Sequence, residues 1–291
     1  MFVSPISSEE RPRSVPNYKT IRIEHESALS WIVLDRPEQA NALSPELLDE
    51  FADALVHLRN EGGPVIAIRG NGKGFCSGID LGGYGGGDKG PANPVEDRSR
   101  LQANVDRWLM MWDHPKPIIA AVHGYCMATA AQMCVFADIT IVADDAKIGE
   151  PKIPIGGGFI APTWVSLVGA KRAKEFAFVP GNWIDGPTAV EWGWANHCVP
   201  AQQLVPAVRS LAERIALTPP EVLRLKKLSI NRAAEAAGFR DALAGIAEID
   251  ALLHLSPDVL ALRARMKERG IKAMIEEFKV KPTVPFGPSE E

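Results

Sequence analysis

The stretch from Pro117 to Lys152 constrains the fold of this chain more than any other. It opens on PIIAAV, an apolar run with the length and composition of a buried strand. A break at His123-Gly124 follows. Five small or flexible residues, Cys126, Met127, Ala128, Thr129 and Ala130, then lead into a helical segment through Gln132 and Val135. Ile139 to Val142 is a second strand-like run. A buried strand that feeds a helix start through small side chains leaves backbone N–H groups free at the turn, with the positive end of the helix dipole behind them. Such a turn suits a developing negative charge, whether phosphate, carboxylate or the oxyanion of a thioester. The same small residues also serve a plainer purpose, close packing of strand on helix.

On either side of this stretch the pattern alternates strand and helix. Residues 1–17 are polar and Pro-containing and read as a loose arm. Thr20 to Glu24 and Ala28 to Asp35 form a β-hairpin. Ser44-Pro45-Glu46 then supplies an N-cap with Pro at the first helical position, opening a helix to about Arg59. Pro64 to Arg69 reads as a buried strand and Asp97 to Met111 as a helix, with Trp108 and Trp112 in its core face. After a second glycine cluster at 156–158 come a helix through Val165 and Leu167, another from Lys171 to Phe178, a short one from Asp185 to Gly193, and a strand from Ala195 to Val199. From Ala201 the chain reads as helix throughout: Leu204 to Ala216, Glu221 to Ala237, Phe239 to Leu255 and Pro257 to Glu277. The expected organisation is an arm (1–17), an α/β core (18–200) and a helical region (201–291) whose apolar stripes suit packing against another subunit.

Composition narrows the partners. A chain of 291 residues with 46% hydrophobic content can build a sizeable core. Its net charge of −4 offers no electrostatic basis for binding nucleic acid or an anionic membrane. No apolar run approaches the roughly 18–20 residues that span a bilayer, and MFVSPISSEERPRS lacks the features of a secretory signal, so a cytoplasmic location is expected. Cys76, Cys126, Cys134 and Cys198 show no metal-ligand spacing and read as buried free thiols. The six histidines form no HxxxH or HExxH pattern, so no metal site is expected.

Between Gly70 and Gly90 lie ten glycines, a density that makes a loop able to bring backbone close to a ligand. Gly70-Asn71-Gly72-Lys73-Gly74 is not a phosphate-binding P-loop. Gly85, Gly87 and Gly90 match GxGxxG, but no strand runs into a helix there. A GxSxG nucleophile elbow is absent.

Four ordered segments resemble the crotonase superfamily, also called the enoyl-CoA hydratase/isomerase family. They are LDRPEQANALS (34–44), GKGFCSGIDL (72–81), KPIIAAVHGYCMATAAQMCVFADITI (116–141) and GNWIDGPTAVEWGWANHCVP (181–200). The resemblance runs from about residue 18 to 275 and implies a spiral of ββα repeats with a C-terminal helical trimerisation region, assembled as a trimer or a dimer of trimers. It implies an acyl-CoA thioester substrate, with coenzyme A as part of that substrate and no separate bound cofactor. Its enolate would be stabilised between two backbone N–H groups, those of Ile79 and Thr129. Thr129 stands where the family usually has glycine; a β-branched residue narrows the site, and its hydroxyl could add a polar contact. Ser77, Ile79 and Leu81, with Asp80 beside them, would line the path of the CoA moiety, and Lys73 would meet its phosphates. At a position where the family carries a basic residue this chain has Glu38.

The departures bear on the reaction. The resemblance places two hydratase glutamates at Gln132 and Lys152, so both carboxylates that would activate water are missing. Double-bond isomerases of the family need the second of them, and the aspartate that serves other relatives would fall near Ile160. Glu150 is the nearest carboxylate. Two residues before Lys152 on an extended segment, it would share that residue's face and lie further off, either as a displaced base or as a surface or interface carboxylate. His123 reads as a turn residue, whereas Tyr84, Glu96 and Asp97 could reach the acyl pocket. The expected function is an acyl-CoA lyase, hydratase, isomerase or hydrolase that works through the oxyanion site with nonstandard acid/base groups. The alternative is a non-catalytic acyl-CoA-binding or structural trimer.

Overall fold

The computed structural model describes residues 16–81, 93–156 and 160–278. The expected hairpin is β1 (Ile21–His25) and β2 (Leu29–Leu34), followed by α1 (Pro45–His57), whose N-cap Ser44 accepts from the Leu47 amide at 3.2 Å. Next come β3 (Val65–Gly70), α2 (Pro94–Trp112), β4 (Ile118–Val122), β5 (Tyr125–Met127), α3 (Thr129–Val135), β6 (Ile139–Ala143) and β7 (Lys147–Gly149). Helix α4 (Ile160–Phe178), β8 (Trp183–Ile184), α5 (Gly186–Glu191) and β9 (His197–Val199) complete the α/β part. The rest is helical: α6 (Leu204–Ala216), α7 (Pro220–Ala236), α8 (Phe239–Leu243), α9 (Ile246–His254), α10 (Pro257–Arg269) and α11 (Ile271–Glu277).

Six strands form the main sheet in the order β1-β2-β3-β4-β6-β9, parallel apart from the β1 hairpin. LSWIVL and IIAAV are buried along their whole length, as parallel strands covered on both faces require. A second sheet, β5-β7-β8, stands beside it. Each repeat gives one strand to each sheet and then a helix: β4, β5, α3, then β6, β7, α4. This is the ββα spiral. An isolated pairing of Cys76 with Cys126 extends the small sheet by the preceding turn of the spiral.

The short strands β5, β7 and β8 were not expected, and several boundaries differ from those expected. Helix α2 starts three residues early because Asn93 caps it, accepting from the Glu96 amide at 2.9 Å, with Pro94 next. The 239–255 segment divides at Gly245 (φ 79°) and the 257–277 segment at Gly270 (φ 80°). The last strand begins at His197, not at Ala195. In contrast, the two helices expected on either side of residue 169 are present, meeting at a kink where Gly169 has φ 78°.

The helical region is tied to the core at two places. Leu204, Val208 and Ala212 of α6 are buried within the main core. Lys227 of α7 donates to the carbonyls of Met111 and Lys116 and to Asp138 Oδ2 at 2.7 Å, which also accepts from the Ile118 amide. Further out, Leu225, Ile230, Ile249 and Leu252 are more than half exposed. Among the described residues no helix is long and apolar enough to cross a membrane.

One buried side chain organises the path from the hairpin to the glycine-rich segment. Asn41 accepts from the Arg36 amide through Oδ1 (2.9 Å), and its Nδ2 donates to the carbonyls of Asn71 (2.8 Å), Gly74 (3.0 Å) and Phe75 (3.2 Å). It sits at φ 53°, a conformation asparagine tolerates better than alanine. Asn41→Ala is expected to destabilise the chain by about 2–4 kcal/mol, read as a lowered urea midpoint with an unchanged m-value.

Candidate active site

Residues 74–80 run between two strands and bond to both. The amides of Phe75 and Cys76 donate to the His123 and Tyr125 carbonyls, and Met127 N donates back to Cys76 O. On the other side, Ser77 N donates to Ala40 O, Leu43 N to Gly78 O and Asp80 N to Leu43 O. Residue 79 is thereby the parallel partner of Leu43, so its own N–H and C=O point away from that strand. Among the described residues no acceptor is recorded for Ile79 N–H. Gly78 has φ 92°, and a Cβ on it would stand 2.9 Å from the Met127 carbonyl and 3.6 Å from the Thr129 amide nitrogen. Glycine is required there twice, for backbone conformation and for close approach.

Opposite lies the start of α3. Ala128 adopts φ 51°, ψ −123°, a conformation unfavourable for any residue with a Cβ. Its amide donates to Gly149 O at 2.7 Å, and its carbonyl accepts from Ala131 and Gln132. Thr129, the first helical residue, has no intrahelical acceptor for its N–H, and none is recorded among the described residues. The fold therefore brings the Thr129 amide beside the Gly78–Ile79 peptide.

The three acid/base candidates separate. Gln132 is fully buried, and neither its Oε1 nor its Nε2 has a hydrogen-bond partner among the described residues. Glu150 follows directly on Gly149, the partner of Met127 in the small sheet, and is 5% exposed; among the described residues its Oε1 also lacks a partner. Burial with no compensating charge pushes its carboxyl up to about 8. Lys152 is exposed. Glu150 and Lys152 thus do not share a face, because the backbone bends at residues 152–153. Glu150 is not a surface carboxylate in this chain.

Of the expected CoA contacts, Lys73, Ser77 and Leu81 are exposed along one run. Asp80 is half-buried and pairs with Arg36 at 3.0 Å. His123 does hold a turn, its Nε2 lying 3.1 Å from Gly72 O. Trp108 is in the core. Glu96 is exposed, while Asp97 is buried against Arg100 and His254. Tyr84, Gly85, Gly87 and Gly90 lie outside the described residues. Cys76, Cys126 and Cys134 are buried thiols, the last two with sulfurs 3.9 Å apart; Cys198 is half-buried. Among the described residues no group of three His, Cys, Asp or Glu could hold a metal ion. The roles of Asn41 and Ala128 were not anticipated. Nothing in a lone Ala marks a strained turn, and only the RPEQAN context around Asn41 hinted at a structured loop.

The α/β spiral with its strapped turn is the crotonase fold. A family model described as enoyl-CoA hydratase/isomerase matches residues 24–255, and the chain belongs to that family. A protein provisionally called an enoyl-CoA hydratase/isomerase, from Novosphingobium aromaticivorans, is 53% identical; its crystal structure superposes with a TM-score of 0.87, covering 90% of this chain and 96% of that one. An enoyl-CoA hydratase/isomerase from Xanthobacter autotrophicus is 32% identical, with a TM-score of 0.84 over 90% and 98% of the two chains. The hydroxycinnamoyl-CoA hydratase-lyase of Pseudomonas fluorescens is 28% identical over 270 residues, 91% of this chain and 95% of that protein.

The Glu150 carboxyl carries a stability prediction whose sign follows from its shift. Its folded value of about 8 lies above the ordinary value of 4.5. Its contribution is therefore fully present below pH 4.5 and is lost as pH rises toward 8, a loss on the order of 5 kcal/mol. Glu150→Gln should flatten that slope, so that the variant is the more stable protein at pH 8 and gains nothing at pH 4. Urea midpoints of the two proteins across this range measure the difference.

Proposed function

We propose that this chain is an acyl-CoA enzyme that stabilises a thioester enolate between the backbone N–H groups of Ile79 and Thr129. The observation that carries the reading is the meeting, across Gly78, of two amides for which no acceptor is recorded among the described residues; Gly78 has no side chain to fill the gap. Donors fixed in place before reaction cost no reorganisation as charge develops on the thioester oxygen, and each such donor typically contributes about 10²–10³ in rate. The CoA moiety would run along Lys73, Ser77, Asp80 and Leu81. The half-exposed leucines and isoleucines of α7 and α9 support self-association, as a trimer or a dimer of trimers.

Glu150 is the proton-transfer group in this reading. With its carboxyl pushed up to about 8 it is an acid at neutral pH, able to deliver a proton to the α-carbon of an enolate. That favours lyase or nonstandard hydratase chemistry, and the Pseudomonas relative's name joins hydration and bond cleavage. Binding of an acyl-CoA without turnover is the second reading. It is favoured by the missing carboxylates at Gln132 and Lys152, and binding by calorimetry with no turnover across a panel of enoyl-, malonyl- and diketonyl-CoA esters would establish it.

Thr129→Pro is expected to abolish thioester binding and turnover together by removing one N–H, while Thr129→Gly keeps both. Proline suits the first helical position, so the helix should survive. A Pro variant with native affinity and turnover would remove Thr129 from the site.

Crotonyl-CoA hydration, followed by loss of enoyl-thioester absorbance, is expected to be slower than in family members with both glutamates by about 10²–10⁴ for each missing group. Glu150→Gln should lower whatever rate remains, with little change in KM. An ordinary hydratase rate that survives Glu150→Gln would show that other residues supply the acid and base.

A further inference from the structure

Helix α7 turns polar residues inward. Its apolar residues Leu225 and Ile230 are more than half exposed, while Lys227 and Asn231, both 8% exposed, face the body of the protein. Lys227, Asn231 and Glu235 recur at every fourth position, a polar stripe along one side of the helix. That stripe closes the end of α2. Lys227 donates to Met111 O, Asn231 donates to Trp112 O at 2.8 Å, and Glu235 accepts from Trp112 Nε1 at 3.1 Å. Arg240 reaches Glu235 at 2.6 Å and also Asp113. Carbonyls that a helix leaves unbonded in its last turn are satisfied in this way, so folding accounts for all of these groups.

Beside the stripe lies a cavity of about 500 Å³, within the size range of small-molecule sites. Arg59, Arg224 and Arg232 also line it, and folding does not account for them. For the side chains of Arg59 and Arg232 no hydrogen bond or ion pair is recorded among the described residues; Arg232 acts on Glu235 only through space. Arg224 pairs with Glu221 at 2.9 Å, but that carboxylate is 75% exposed and solvent screens the pair. The deeper cations are matched, Lys227 by Asp138 and Arg240 by Asp113 and Glu235. His114, which also lines the cavity, registers the remaining field. Burial above all, with the charges of Lys227 and Arg59 adding to it, pushes its imidazole down to about 4, although its bond to the Leu55 carbonyl acts the other way.

The cavity stands apart from the thioester site. Arg59 and Pro115 come just before β3 and β4, so the cavity is at the N-terminal ends of these parallel strands. The turn at residues 128–129 follows the opposite end of β4. The five residues of that strand put about 16 Å between the two.

Three guanidiniums around one cavity, two of them with no carboxylate, suit an anion that carries several charges. Each guanidinium fork matches a pair of phosphate oxygens. Arg224 and Arg232 are eight positions apart on α7, about 12 Å along its axis, so linked phosphates span them better than a single tetrahedral ion. We propose that this cavity is a second ligand site, which binds a condensed phosphate, inorganic or carried by a nucleotide, on Arg59, Arg224 and Arg232. It is independent of the function proposed above.

The test is titration calorimetry of the full chain at low ionic strength with inorganic phosphate, pyrophosphate, tripolyphosphate and ADP. Affinity is expected to rise about tenfold or more from phosphate to tripolyphosphate, and to fall as salt is added. Arg59→Gln and Arg232→Gln should each weaken tripolyphosphate binding about tenfold or more. Two controls should leave it within about twofold: Arg209→Gln, outside the cavity, and Lys73→Gln, on the expected path of the CoA phosphates. All four side chains belong to exposed residues, so the variants should fold. ADP that binds at least as tightly as pyrophosphate supports the site with a nucleotide as its ligand, and weaker binding of ADP supports it with the inorganic ion. Failure of every phosphate to bind, binding that survives both cavity substitutions, or binding lost in either control overturns the inference. The oxyanion reading stands in each case, because its residues lie at the other end of β4.

Discussion

Two backbone segments, 76–80 and 126–129, meet edge to edge, and the rest of the site depends on that meeting. Residues 76 and 126 pair directly, Leu43 holds the outer edge of residues 78–80, and Asn41 closes the turn that leads in. With the outer edge spoken for, the amide of residue 79 has only the inner side to face. There it finds the first amide of α3, which a helix cannot satisfy for itself. The arrangement strains Ala128, at a cost on the order of 1–3 kcal/mol. That strain persists because the Ala128 amide and carbonyl are both bonded, to Gly149 on one side and to the first turn of α3 on the other.

Buried polar groups in this chain fall into two kinds. Lys227 is 8% exposed, yet it donates to the Met111 and Lys116 carbonyls and to Asp138, and it ties α7 to the sheet. Such a group explains itself as structure. Glu150 and Gln132 are equally enclosed and have side-chain atoms with no partner among the described residues. An unpartnered buried polar atom costs free energy that folding alone gives no reason to accept.

Much of the architecture was legible in residues close together in the chain. Uninterrupted apolar runs marked the parallel strands, Ser44-Pro45 marked a helix start, and the small residues after Tyr125 marked a tight strand-to-helix turn. Four ordered motifs carried the family. These signals are local: strand burial, capping and turn geometry depend on side chains within a few positions of one another. Where the local signal was incomplete, the error was local too, as with the breaks at Gly245 and Gly270, each a single residue able to take positive φ.

Which of the candidate acid/base side chains are enclosed was decided only by the tertiary structure. Periodicity put Glu150 and Lys152 on one face, but a bend at 152–153 buries the first and exposes the second. Asp97 and His254, 157 positions apart, become neighbours only because α9 packs along α2. Asn41 bonds to three carbonyls at least 30 positions away. The sequence by itself determined the long buried strands and most of the helices, because those follow from neighbours along the chain; the short strands β5, β7 and β8 took shape only through pairing across the fold. Which polar side chains are enclosed, and which of them lack a partner, follows from surfaces brought together across the fold, and no spacing between residues encodes that.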